Sequence, residues 1–347
     1  MGFGNLEGDA IVTKTHLQSG PGSVVCALIV AFATIAWSVP AHAAIALTPA
    51  GIAQGLKLTT FASGYPNTDE VGPLGVAFTN TGGVLTTDKL GNIRLFPTSA
   101  DNQLASSAPV TQNYGLNGAT ALAHFGGHIY MSRQGNGDVV EVNQDGTFKQ
   151  TILTDLPYAT GLVANPVSGH LYVSTIGINA VYDVDPVAKT KTLFANGDVD
   201  GLTVSADGKT LYLIGENGVI TGYDTTTKAV VFAPLTVSPF IDGAVIGRGT
   251  LAGNMFVNTR DGKIIEVNLA SKIQTTIADG GSRGDFAYAD ANNNSLLFTQ
   301  TDSIVRLAEA NVGAVPLPAG VWAGALTGLG GLIVSRRSAA KRARAAK

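Results

Sequence analysis

Gly201-Leu202-Thr203-Val204-Ser205-Ala206-Asp207-Gly208-Lys209-Thr210-Leu211-Tyr212 is a β-hairpin written in twelve residues: a short alternating run, an Asp-Gly turn and the start of a second run. Its opening, a residue followed by Gly and an apolar residue, recurs along the chain. Leu74-Gly75-Val76, Asn117-Gly118-Ala119, Thr160-Gly161-Leu162, Asp200-Gly201-Leu202, Asp242-Gly243-Ala244 and Arg283-Gly284-Asp285 place their glycines 43, 43, 40, 42 and 41 residues apart. A second β-rich segment follows each opening, as in Leu171-Tyr172-Val173-Ser174 and Asn254-Met255-Phe256-Val257. Then comes a third, as in Val181-Tyr182-Asp183-Val184 and Ile264-Ile265-Glu266-Val267, and in most units a fourth, as in Lys191-Thr192-Leu193-Phe194. Four short strands repeated about every 41 residues spell a propeller blade. The expected fold is all-β, a six-bladed β-propeller with four-stranded blades.

The sixth unit lacks its fourth segment, and a substitute lies upstream of the first. Leu56-Lys57-Leu58-Thr59-Thr60-Phe61-Ala62 matches Thr190-Lys191-Thr192-Leu193-Phe194-Ala195 in pattern, so an N-terminal strand is expected to complete the last blade and close the ring. The opening of the second blade has two registers, because Thr120-Ala121-Leu122 also fits if the next turn is shorter. Rings of five or seven blades are the alternative counts. Asp145-Gly146, Asp207-Gly208, Asn217-Gly218 and Asp261-Gly262 suit tight hairpin turns. The units resemble the broad superfamily of YVTN-type, NHL-type and gluconolactonase-like propellers, a likeness that implies a fold and leaves function open.

Between Ala44 and Val315 there are 15 Lys and Arg against 23 Asp and Glu, a formal charge of −8. An acidic surface repels phosphate backbones, and no basic cluster with interleaved aromatics occurs outside the C-terminal tail, so no nucleic-acid partner is expected. The one cysteine, Cys26, precedes this region, which therefore contains no thiol, disulfide or Cys-type metal site.

Both ends carry targeting patterns. Val24 to Val39 is apolar and Pro40-Ala41-His42-Ala43 offers small residues for signal peptidase, so residues 1–43 read as a signal peptide handled by the Sec machinery and cleaved before Ala44, with an uncleaved N-terminal anchor as the alternative. Glu7 and Asp9 offset Lys14 and the segment before the apolar run is longer than it needs to be, which suggests a start codon assigned too far upstream. At the other end stand Val315-Pro316-Leu317-Pro318-Ala319, an uncharged run to Val334, and a tail with Arg336, Arg337, Lys341, Arg342, Arg344 and Lys347. The run of 16 residues, Ala319 to Val334, spans roughly 24 Å as a helix, short against a hydrocarbon core of about 30 Å. The basic tail is expected on the cytoplasmic side. This order of Pro motif, apolar helix and Arg cluster resembles the PEP-CTERM family of exosortase substrates in its VPLPA variant, although Leu317 stands where the name-giving motif has Glu. The resemblance implies an exosortase-like membrane processing enzyme as partner, a transient inner-membrane anchor, and then a cell-surface or extracellular location near polysaccharide. A plain, unprocessed anchor is the alternative. The expected organisation is a propeller over 44–310, a linker and sorting motif over 311–318, a membrane helix over 319–335 and a basic tail over 336–347.

If the propeller has a site, the mouth of its channel is the place for it. The residues before the opening glycines, Leu74, Asn117, Thr160, Asp200, Asp242 and Arg283, are expected to face the axis. Asp200 and Asp242, with Asn117 and Thr160 nearby and Glu70 joining, make an oxygen-rich nest suited to a hard cation such as Ca²⁺. In gluconolactonase-like enzymes a Glu before Gly-Pro, an Asn and an Asp-Gly aspartate hold the metal. Glu70-Val71-Gly72-Pro73 and Asp200-Gly201 resemble two of these positions, but Val71 is an extra residue and Thr160 stands where an Asn-Gly-Leu is wanted. Arg283 is expected to neutralise one carboxylate. The competing reading is that these side chains only bond strand ends and water. No phosphate loop occurs. His128 and His170 are expected on solvent-facing turns, Asn292-Asn293-Asn294 as a polar turn, and Asp183, Asp185 and Asp224 as turn-forming carboxylates. The expected function is a non-catalytic binding or matrix protein associated with extracellular polysaccharide, with a metal-dependent, gluconolactonase-like hydrolase as the alternative.

Overall fold

The computed structural model of the chain describes residues 44–238 and 240–310. The signal peptide, the sorting motif at Val315, Pro316, Leu317 and Pro318, the membrane helix and the tail with Arg336 and Arg337 lie outside the described residues. Among those described, no helix is long and apolar enough to cross a membrane.

The repeats fold as six antiparallel sheets, each built around four strands. The innermost strands are Pro73–Phe78, Leu122–Phe125, Ala159–Ala164, Gly201–Val204, Ile241–Ile246 and Ala287–Ala289, and those of successive blades lie side by side around a central channel. Blades are numbered 1 to 6 in that order. Alternation along the strands buries apolar residues on both sheet faces, so the core is a series of clusters wedged between neighbouring blades.

Ring closure follows the sequence expectation. Leu56–Ser63 runs antiparallel to Ser303–Glu309 with Leu58 opposite Leu307, and becomes the outer strand of blade 6. Phe61 and Ala62 are wholly buried in it. Arg306 fixes the seam: its guanidinium bonds Asp101, Ser295 and the carbonyl of Ser99, while Thr59 Oγ1 donates to the other oxygen of Asp101 at 2.6 Å. Gln103–Leu104, from the long loop of blade 1, pairs in parallel with Ala62 and Ser63. The segment just before the closing strand has its own role. Ala46–Leu47 adds a strand to the edge of blade 5, and a one-turn helix, Pro49–Ala53, starts at Thr48, whose hydroxyl accepts from the Gly51 amide, with Pro49 at the first helical position. These covers blunt two exposed sheet edges.

The opening glycines have a steric cause. A Cβ on Gly161 would stand 2.2 Å from the Asp200 carbonyl, one on Gly201 2.0 Å from that of Asp242, and one on Gly243 2.4 Å from that of Asp285. Adjacent inner strands can approach this closely only without a side chain there. A hydroxyl relay accompanies the contact. Thr87 Oγ1 accepts from the Gly75 amide and donates to the Thr120 carbonyl; Ser132 links Ala121 to Thr160, and Ser174 links Gly161 to Asp200, in the same way. In blade 6 Thr299 takes the Phe286 amide at 2.8 Å.

This relay sets the register and corrects two positions. The residues at the head of the inner strands are Leu74, Thr120, Thr160, Asp200, Asp242 and Asp285, so blade 2 uses the shorter-turn register and blade 6 opens two residues after Arg283. Asn117 and Arg283 belong to the preceding linkers. Ala121 and Phe286 occupy the glycine position in those blades, which is why counting Gly alone shifted both.

Candidate functional site at the channel mouth

Three aspartates stand side by side at the head of the inner strands of blades 4, 5 and 6: Asp200, Asp242 and Asp285, all buried. In blade 5 the register shifts between Ile241 and Gly243, a bulge that turns Asp242 out of the ladder. Glu216, in the hairpin turn of blade 4, and Arg260, in that of blade 5, reach over them, and Arg283 arrives from the linker before blade 6.

Arg260 clamps Asp242. Its Nε donates to Oδ2 at 2.6 Å, and its Nη2 makes charge contacts with Oδ1 at 2.6 Å and with Glu216 at 3.4 Å. Arg283 bridges Asp242 at 3.2 Å and Asp285 at 3.0 Å. Oδ1 of Asp200, Oδ1 of Asp242 and Oδ2 of Asp285 are buried without a hydrogen-bond partner. Four carboxylates against two guanidiniums leave a formal excess of two negative charges. Burial, then repulsion from Asp242, Glu216 and Asp285, raises the Asp200 carboxyl well above the usual range. Burial, opposed by Arg283 and reinforced by Asp242, pushes Asp285 up to about 7. Two protons relieve the excess charge, and so would one divalent cation.

The residues expected at this site divide. Asp200 and Asp242 come together, and with Glu216 they present carboxylate oxygens all within 4.8 Å of one another. Glu70 does not join them. It sits exposed at the tip of a tight turn closed by Thr68 and Val71, where Asp69 and Glu70 both have positive φ; the extra residue loops the carboxylate out and leaves Val71 buried in its place. The Thr160 hydroxyl donates to the Tyr158 carbonyl and accepts from Gln134. Asn117, at φ 57°, lies in the linker after blade 1, its backbone N–H donating to the Lys89 carbonyl. Arg283 does neutralise carboxylates, from the rim. Glu216, Arg260 and Asp285 were not singled out beforehand. Glu216 and Arg260 occupy the same kind of hairpin turn in successive blades, a correspondence visible only once the blades are aligned.

Elsewhere the polar residues serve structure. His128 and His170 bond Glu141 and Asp183 across their sheets while half exposed, and Asp185 and Asp224 accept amides within their own turns. Asn292 to Asn294 form a turn closed on Asp290.

No protein-family model matches the chain, and no curated protein matches it. Solved structures do. A gluconolactonase from Xanthomonas campestris superposes with a TM-score of 0.59 at 14% identity, covering 76% of this chain and 94% of that one. A luciferin-regenerating enzyme gives 0.56 at 14% over 75% and 98%, and virginiamycin B lyase from Staphylococcus aureus 0.50 at 14% over 73% and 99%. At such identities the likeness is one of fold.

The proton count has a measurable consequence. Asp285 in the folded protein holds a proton that the unfolded chain loses near the ordinary 3.8, so folding becomes less favourable as pH rises from about 4 through 7. Asp200 acts in the same direction. Asp285→Asn keeps an acceptor for Arg283 and removes the ionisation. In chemical denaturation across pH 4–8, the variant is expected to lose less stability than wild type, with the gap widest at pH 8. Parallel profiles would show that Asp285 is ionised throughout.

Proposed function

We propose that the protein is a small-molecule hydrolase of gluconolactonase-like kind, acting on an ester or lactone at the mouth formed by blades 4, 5 and 6. The observation that carries this reading is the convergence of Asp200, Glu216 and Asp242 within 4.8 Å at one end of the channel. An all-oxygen donor set with uncompensated charge and an unpartnered buried Oδ1 on Asp200 suits a hard cation such as Ca²⁺. These three residues would hold it, with Arg260 giving up its hold on Asp242. When bound, such an ion supplies Lewis-acid polarisation of the substrate carbonyl. Asp285, pushed up to about 7, suits the proton traffic of hydrolysis, taking the proton of the attacking water and returning it to the ring oxygen as the acyl–oxygen bond breaks. Arg283, beside Asp285, is placed to hold the carboxylate product. The ligand positions differ from those of the resemblance: blades 4 and 5 supply them here, in place of blades 1, 3 and 4.

The test is opening of a small lactone by the purified chain with millimolar Ca²⁺, followed by proton release. Activity lost in Asp200→Asn and in chelator supports the reading; a rate unchanged by both sinks it.

A non-catalytic binding role is the second reading, favoured by the Arg260 clamp, which neutralises Asp242 without a cation. Export and exosortase-type processing, supported by the order of motifs at the two ends, would place either function outside the cytoplasm, where Ca²⁺ sites work at dissociation constants of roughly 10⁻⁴–10⁻³ M.

A further inference from the structure

The opposite end of the channel is built differently. Where the inner strands finish, all six contribute to a cavity of about 520 Å³, within the range of small-ligand sites. Its wall offers polar and apolar surface in about equal parts: Leu162 and Leu202 contribute aliphatic side chains, Thr79, Asn80 and Thr203 also line it, and Tyr288 reaches in from blade 6. The Tyr288 hydroxyl is shielded from solvent and faces the backbone of Val76 and Leu122 without good hydrogen-bond geometry to either. Burial raises its pKa, so it stays a neutral donor.

The charges at this end are the reverse of those at the mouth. Among the described residues no aspartate or glutamate lines the cavity, although the domain as a whole is acidic. Among the described residues, the one lysine or arginine on it is Arg248, exposed at the start of a single turn, Gly249–Leu251. His124, also on the lining, has its Nε2 3.1 Å from Asn80 Oδ1, and burial, helped by His128, lowers its pKa and keeps it neutral. A cavity with aliphatic side chains in its wall and, among the described residues, a guanidinium as its only full charge is complementary to a compact amphiphile with one negative end.

We propose that this end of the channel is a binding site for small organic acids, the apolar body lying against Leu162, Leu202 and Tyr288 and the carboxylate pairing with Arg248. It is separate from the aspartate mouth and does not depend on the hydrolase reading.

Calorimetric titration of the full chain with octanoate tests it, with 1-octanol as the uncharged comparison. Wild type is expected to bind octanoate more tightly than octanol. Arg248→Ala, at an exposed position, should weaken octanoate about tenfold, the share of one charge-assisted hydrogen bond at a partly solvated rim, and leave octanol unchanged. Ala164→Phe fills the cavity and should weaken both; Ala289→Phe serves if that variant misfolds, as judged by its melting curve. Asp200→Asn should change neither affinity. Absence of octanoate binding at millimolar concentration, or affinities unmoved by both the Arg248 and the cavity-filling variants, would overturn the proposal.

Discussion

A chain lacking residues 44–63 should fail to unfold cooperatively. Those residues supply the outer strand of blade 6 and the added edge of blade 5, so their loss uncovers two sheets at once. Phe61 alone is a measure of the effect. Its ring is fully buried, packs edge-to-face on Phe96 at 5.2 Å and lies under the Arg306 guanidinium. Truncating a buried phenylalanine to alanine costs about 3–5 kcal/mol, against a total stability of about 5–15 kcal/mol for a domain. Phe61→Ala should therefore survive with a much lower melting temperature. The deletion removes Leu56, Phe61 and Ala62 together, strands the Asp101 and Arg306 pair and opens the ring, and should exceed the whole margin. Aggregation and loss of the sharp thermal transition are the expected result. A truncated protein melting like the parent would show that the seam is not where the ring is held.

Gly201→Ala is expected to have the next largest effect, through the smallest chemical change. The added methyl would sit 2.0 Å from the Asp242 carbonyl and 3.2 Å from the Gly243 Cα, and both obstacles are backbone. Only separation of blades 4 and 5 relieves the clash, at the upper end of the overpacking range, about 3 kcal/mol or more. In a domain of this size that corresponds to roughly 6–12 °C in melting temperature. The same separation would pull Asp200 away from Asp242, so stability and site should fail together. Gly135→Ala is the control. Its added methyl meets nothing nearer than 3.3 Å and the backbone angle is ordinary, so a change of a few degrees at most is expected. Equal losses in both variants would mean that the close approach does not hold the blades together.

Most of the fold was legible because the repeat is redundant. Six copies of a four-strand pattern average out local ambiguity, and the missing strand of the last copy had a matching segment upstream. What misled was reliance on one residue type. Glycine marks the inner-strand head where a neighbouring carbonyl must come close, yet Ala121 and Phe286 take that place in two blades. The second strands held a better marker: the hydroxyl of Thr87, Ser132, Ser174 or Thr299, with Asn258 and Ile214 at the same place in the other two. The site was half legible. Asp200 and Asp242 stand beside their glycines, whereas Glu216 and Arg260 lie in turns where Asp, Asn and Gly are ordinary, and nothing local distinguishes a turn residue aimed into the channel from one aimed at water. Glu70 misled because one inserted residue converts an inward approach into a surface turn.

The account turns on whether the mouth of blades 4, 5 and 6 takes a cation, and calorimetric titration of Ca²⁺ into the purified chain at pH 8 tests this most directly. At that pH Asp285 has shed its proton and competition for the site is least. Wild type is expected to bind one Ca²⁺ with a dissociation constant of roughly 10⁻⁴–10⁻³ M and to bind it more weakly at pH 6. Arg260→Met should tighten binding about tenfold by releasing Asp242, and Asp200→Asn should abolish it. No binding at 10 mM (~10 times the weak end of that range), or an affinity that Asp200→Asn leaves unchanged, would contradict the account and leave the carboxylates a proton-sharing structural cluster.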